Sequence, residues 1–421
     1  MKSLFSLTLL VLLFSGAAEA QMPQELRDQK LVVACIKNDL EAARELLARG
    51  ASARAVGLFG QPAILIAAQT HRGFYSEEKT LAIIELLLKN GADINAKNAF
   101  GTTPLMASQV YASSVEMLRQ KQAKLDAYFF ARGADKNVKD VFGGELIDYP
   151  YFNEVEYPSR SAKGKPLDAN AVAWRLLIEG QMMLPDAPEK YERDPDGVTL
   201  VMAAAYYSGS LGRVNPARAI YFEVDKKGNT VPMFAAIGDC PGCLFGLDDK
   251  AFVNKQNNLG ETALILATQF DHGYVVKKLL GIGADPNLKD KQGKTALFYA
   301  AEYDYFMSAM NLLAGGANPQ ELDADGLTPL MLAAKLGNTK AVSAYALAAT
   351  AAAKAKAEAR KTGRAADKFL AKTLCSINLN FKNRSGETAL SIARKNGKTD
   401  IIKILNKALS NRAATKEPAK K

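Results

Sequence analysis

The sequence predicts an all-α solenoid of stacked helix-turn-helix units, with short β-turn tips and two sizeable insertions. Three observations predict it. First, a Gly followed two residues later by Thr, then by an apolar run ending in small residues, recurs from Gly260, Gly293, Gly326 and Gly386. Weaker copies start at Gly60, Gly101, Gly143, Gly197 and Gly228; the steps from Gly197 through Gly326 are nearly equal, and the one from Gly326 to Gly386 is almost double. Second, Asp or Asn stands three residues before the Gly at Asn98, Asp140, Asp194, Asp225, Asn257, Asp290, Asp323 and Asn383, the pattern of a turn with an Asx side chain first and Gly fourth. Third, the second helix of a unit ends in Gly-Ala-Asp or a near relative, at Gly50, Gly91, Gly133, Gly283 and Gly316, where Gly permits the left-handed residue that stops a helix.

The elements follow in chain order. MKSLFSLTLLVLLFSGAAEA carries one lysine, an apolar run from Leu4 to Phe14 and small residues before Ala20. That pattern predicts a signal peptide over 1–20 and an exported protein, periplasmic in a bacterium or secreted. No later apolar run is long enough to span a membrane, so no transmembrane span is expected in the mature chain. The solenoid is expected over 24–334, starting with a cap from Leu31 to Ser52. Within it, the long step from Gly143 to Gly197 holds an aromatic and acidic insertion near 147–168, IDYPYFNEVEYPSRSAKGKPLD. Residues 335–372 read as an Ala/Lys-rich helical insertion inside a repeat, whose run from Thr339 to Lys361 would extend about 35 Å at the rise of an α-helix. A last repeat is expected over 373–410, and a disordered basic tail over 411–421.

In each unit the Thr is placed to cap the first helix, and Pro104 and Pro329 occupy the first helical position, where a missing N–H costs nothing. A turn, two antiparallel helices and a return, repeated at roughly 33 residues, resembles the ankyrin repeat. The Thr-Pro-Leu-His motif of that family appears without its His, whose place is held by Leu65, Met106, Met202, Met233, Ile265, Phe298, Met331 and Ser391. The resemblance implies a non-enzymatic scaffold that binds a partner protein in its concave groove, through turn tips and the inner face of the first helices. It places Tyr206, Tyr207, Gln269, Phe270, Glu302, Tyr303, Lys335 and Leu336 on that face, framed by Lys291 and Lys294. The alternative for the aromatics is packing between repeats. In the insertion, Tyr151 and Phe152 belong to the densest aromatic and acidic cluster of the chain, suited either to recognition or to covering the solenoid flank.

Gly293-Lys294-Thr295 looks like the end of a phosphate loop, but the place of the Gly that such a loop needs ahead of it is held by Leu288. It is a repeat turn. There are two histidines, His71 in an inter-helix insertion and His272 in an inter-helix turn, both expected at the surface; they argue against histidine catalysis and multi-histidine metal sites, so no catalytic residue, metal or cofactor is expected. Four cysteines in an exported chain point to oxidation chemistry. Cys240 and Cys243, in DCPGC near the start of a second helix, suit a local disulfide, with a redox site or free thiols as alternatives; Cys35 sits at a packing position. The net charge of +10 is concentrated from Lys335 onward, where 20 Lys and Arg face 5 Asp and Glu. A second reading is therefore a protein that holds a membrane surface or another polyanion through a basic C-terminal arm, and a third is a secreted effector that meets a host protein. Export and the scarcity of interleaved aromatics argue against nucleic acid.

Overall fold

Helices begin where the repeated Thr stands. The computed structural model describes residues 22–57, 60–69, 77–98, 101–108, 126–138, 193, 196–207, 223–245, 247, 249–362 and 377–414, which fall in two units, Met22–Ile220 and Tyr221–Lys421. The leader, the 147–168 insertion with Tyr151 and Phe152, His71, Cys375 and residues 415–421 lie outside the described residues.

In the first unit the helices are α1 (Gln24–Ile36), α2 (Leu40–Ala48), α3 (Ala63–Gln69), α4 (Glu77–Lys89), α5 (Pro104–Ser108) and α6 (Leu200–Tyr207). First helices stack on first helices, α1 on α3 and α3 on α5, while α2 stacks on α4. Leu31, Ala63, Ile83, Ile84 and Leu87 are fully buried between the two layers. Within α4, Ile83, Ile84 and Leu87 keep the spacing of an amphipathic helix whose apolar stripe must find a partner.

The second unit comprises α7 (Val231–Ile237), a 3₁₀ turn (Pro241–Leu244), α8 (Lys250–Val253), α9 (Ala263–Gln269), α10 (Gly273–Gly281), α11 (Ala296–Glu302), α12 (Phe306–Ala314), α13 (Pro329–Leu336), α14 (Thr339–Thr362), α15 (Ala389–Lys395) and α16 (Thr399–Ala414). Helices α7, α9, α11, α13 and α15 form one layer in that order; α10, α12, α14 and α16 form the other. Among the described residues there is no strand, only two isolated antiparallel bridges, Val56 with Pro62 and Val224 with Thr230.

The side-chain oxygens of Thr262, Thr328 and Thr388 accept the backbone N–H three residues on, at 3.2, 3.2 and 3.1 Å. Thr295 stands at the same place without a side-chain cap bond. Replacing Thr328 by Val should therefore lower stability by about 1 kcal/mol, and Thr295 by Val by only a few tenths, measured by urea unfolding. Most residues in the place of the family His are buried, among them Leu65, Met106, Met233 and Phe298, so apolar packing takes over from the hydrogen bond. Three keep a remnant of it: the Thr199 and Thr230 N–H groups point at Met202 Sδ and Met233 Sδ, each at 3.4 Å, and Ser391 Oγ accepts from the Thr388 N–H at 2.8 Å.

The long step after Gly326 resolves into an overgrown second helix. α14 runs for 24 residues from Thr339, and Ala341, Val342, Ala344, Tyr345, Ala348 and Ala349 in its first turns are buried against α12 and α16. Lys335 and Leu336, assigned by the sequence to the insertion, instead end α13. Past the insertion α15 stacks directly on α13, so repeat contacts resume as if nothing intervened. The tail boundary also moves, because α16 continues through Ala414 rather than ending near 410.

Candidate functional site

The Asx residue of each tip organises the inner face. Asp290 Oδ1 accepts from the N–H groups of Gln292 (2.8 Å) and Lys294 (3.0 Å), while the Gly293 N–H returns to the Asp290 carbonyl. Asn257, Asp225 and Asn383 repeat the arrangement with Leu259 and Glu261, Lys227 and Asn229, and Ser385 and Glu387. Gly follows because the fourth position needs positive φ, +77° at Gly293. Neighbouring tips are then tied through main chain: Asn258 N–H donates to Lys227 O at 2.8 Å, and Lys291 N–H to Leu259 O at 3.0 Å. Lys226, Lys227, Asn258, Leu259, Lys291 and Gln292 are exposed on this frame.

Behind the tips runs a ladder of polar side chains. Asn229 Nδ2 donates to Asp225 at 2.9 Å, Asn257 Nδ2 to Asn229 and to Glu261 at 3.0 Å each, and Gln269 Nε2 to Glu261 at 3.0 Å. One repeat on, Lys294 Nζ pairs with Glu302 at 2.7 Å and lies 5.3 Å from the centre of the Tyr299 ring, whose hydroxyl donates to Asp290. Lys395 and Glu387 repeat the pairing at 3.4 Å, with Lys395 exposed. The residue after the repeat Gly thus meets the last residue of the first helix in three repeats.

This geometry sorts the predicted site residues. Tyr206, Phe270, Glu302 and Tyr303 are each no more than 7% exposed, so these side chains serve packing and the ladder instead of presenting surface. Burial raises the Tyr206, Tyr299 and Tyr303 phenols above their ordinary value, with Asp290 adding to the shift at Tyr299 and Glu302 at Tyr303. Lys294 is half-buried in its ion pair, and Lys291 stands exposed at the tip. Tyr207 lies in α6, and its side chain is outside the described residues.

Cys240 and Cys243 form a disulfide, both side chains buried, with Cα atoms 5.3 Å apart. They do not open a regular second helix: Pro241–Leu244 is a 3₁₀ turn, and the short α8 follows, capped by Asp249. Cys35 is fully buried, which pushes its thiol up to about 12 and leaves it inert.

His272 is not on the surface as its turn position implied. It is 5% exposed, with Nδ1 2.8 Å from the Ala236 carbonyl; since a carbonyl only accepts, Nδ1 carries the proton. The turn between helices docks on the preceding repeat. Asn338 does the same with Ala301 O and Glu302 O, at 2.7 and 2.8 Å. The residues that turn the chain there, Asp239, Asp271 and Asp304, have φ of 56°, 58° and 61°, and Gly337 has 92°. Sequence reading missed this row, although its spacing keeps the same period as the tips.

The family model for ankyrin repeats in three copies matches residues 224–323 and 271–354, and the single ankyrin-repeat model matches 59–99. These segments carry ankyrin repeats and the fold is the all-α ankyrin solenoid, an architecture that implies a scaffold for protein–protein interaction. No curated protein matches the chain. Among the described residues no helix is long and apolar enough to cross a membrane, and no group of three His, Cys, Asp or Glu side chains is placed to hold a metal ion.

Proposed function

We propose that this chain is a non-enzymatic scaffold of the periplasm or cell exterior whose second unit grips a partner protein along its turn tips. The observation that carries this reading is the row of tips joined by main-chain bonds, which holds Lys226, Lys227, Leu259 and Lys291 outward on a frame that does not have to be ordered on binding. Leu259, 64% exposed, supplies the apolar anchor, and the lysines around it favour a partner segment that mixes apolar and acidic residues. The buried ladder fixes the helices behind the tips. Tyr151 and Phe152 of the insertion remain a second candidate contact. Export is supported by the leader-like stretch from Met1 to Ala20 and by the Cys240–Cys243 disulfide, a bond suited to an oxidising compartment.

Affinity capture from the source envelope, read by mass spectrometry, tests this. Lys227→Glu combined with Leu259→Ala and Lys291→Glu should lose the captured partner by at least about tenfold while the melting curve stays in place. Capture of every partner at wild-type level would overturn the assignment to the tips. Cell fractionation checks the compartment separately.

A further inference from the structure

The second-helix layer of the same unit carries chemistry that a groove-binding scaffold does not need. Its four helices, α10, α12, α14 and α16, pack side by side and expose Lys277, Lys340, Lys354, Lys403 and Lys407. Among the described side chains of these helices Asp400 is the one acid, and it is already 3.2 Å from Lys403. The acids of the adjoining turns are engaged within the fold: Asp271 accepts from the Ser308 hydroxyl at 2.9 Å, and Asp304 from the Ala341 N–H at 2.8 Å.

Large apolar side chains share this layer. Tyr274 is 83%, Met307 58% and Leu347 52% exposed, and Phe245, from the turn packed on α10, is 72% exposed with Lys278 Nζ 4.0 Å above its ring. Met307 packs close to Gly273, the residue before Tyr274: a Cβ on Gly273 would sit 3.3 Å from Met307 Cβ. Water-exposed Tyr, Met, Leu and Phe set among lysines form a mixed surface that water alone does not favour.

We propose that this layer docks on a bilayer surface bearing anionic headgroups, with the lysines at the phosphates and Tyr274, Met307, Leu347 and Phe245 entering the headgroup boundary. Three arguments favour lipid over a second protein. Protein interfaces are depleted in lysine and enriched in arginine, yet lysines outnumber arginines on these helices by eight to two. Lysine is a compact, hydrated point charge, matched to a diffuse anionic surface and poorly matched to the two-pronged recognition of one carboxylate. Surface-seated helices join basic residues to aromatic and aliphatic ones, as here. The face is distinct from the turn tips, so attachment and partner capture can fail separately.

The test is cosedimentation of the protein, purified as the cell produces it, with vesicles of phosphatidylglycerol and phosphatidylcholine in equal parts, and with phosphatidylcholine alone. Partition should favour the anionic vesicles and fade as salt rises. Lys277→Glu with Lys340→Glu and Lys354→Glu should lower partition by at least about a hundredfold. Tyr274→Ala with Met307→Ala should lower it about tenfold without changing the salt dependence. Thermal melting verifies the fold, and Lys277→Gln with Lys340→Gln gives a milder charge variant if the first does not fold. Equal partition to both vesicle types, or unchanged partition of the charge variants, overturns the proposal. So does loss on Lys416→Gln, Lys420→Gln and Lys421→Gln alone, which would move the attachment to the tail. Duplex DNA binding as tightly as lipid, with the Tyr274 and Met307 variant unaffected, would mean a plain polyanion patch and overturn it too.

Discussion

Leu297→Ala should lower stability by about 2 to 5 kcal/mol, with a fall of roughly 4 to 20 °C in melting temperature by calorimetry. Leu297 is 0% exposed in α11, which stacks between α9 and α13 while its own repeat partner α12 packs beside it. Cutting the side chain to a methyl removes apolar area from all these contacts and leaves a cavity that helices on several sides must collapse to fill. Stability in a solenoid depends on each unit's interfaces with its neighbours, so the loss should spread beyond one repeat. A cost below about 0.5 kcal/mol, the range of ordinary surface substitutions, would contradict the stacking described.

Gly260→Ala should be nearly as damaging, at about 2 to 4 kcal/mol, although Gly260 lies in a turn. Two penalties combine. The residue has φ of +79°, where a side chain is strained by about 1 to 2 kcal/mol, and an added Cβ would sit 2.8 Å from the Lys291 backbone nitrogen. The clash falls on the amide that donates to Leu259 O, the bond joining one tip to the next. Gly293→Ala is the control: φ is +77°, but nothing lies within 4 Å of its Cβ position, so only the strain of about 1 kcal/mol should remain. Urea unfolding of the two variants should separate them; equal losses would show that the contact between tips carries no stability.

Local rules made the repeat legible. Asp290, Gly293 and Thr295 each answer to a short-range need, an Asx turn, a positive φ and a helix start, and each is met where the spacing placed it. Burial of the inner helix ends was not legible, because nothing in the residue types Gln269-Phe270 or Glu302-Tyr303 tells how deep the next repeat covers them. That depth is set by partners a whole repeat away along the chain. His272 was misplaced for the same reason: an inter-helix turn reads as surface until the preceding repeat's Ala236 carbonyl is found against it. DCPGC told of the disulfide but not of the shortened helix around it, since Pro241 and Gly242 disrupt the helical pattern without saying what replaces it. In the candidate site, the exposed tip position of Lys291 followed from its place in the turn, whereas Lys294 from the same turn reaches inward to Glu302, and Lys226 and Lys227 were not singled out. Nor were the exposed Tyr274 and Met307, because they sit at places that in α9 or α11 would be core.

The seating of α15 on α13 and of α16 on α14, across a step almost twice the repeat length, means that sequence continuity and mechanical continuity are separate properties of this chain. A load or a melting front arriving at α13 passes to the last repeat sideways, through side-chain contact, and not along the polypeptide. The extra length after Lys354 can therefore lengthen, shorten or change composition over evolutionary time while the final repeat stays coupled to those before it. Such a place is where a stack of repeats can acquire an appendage without surrendering its last member.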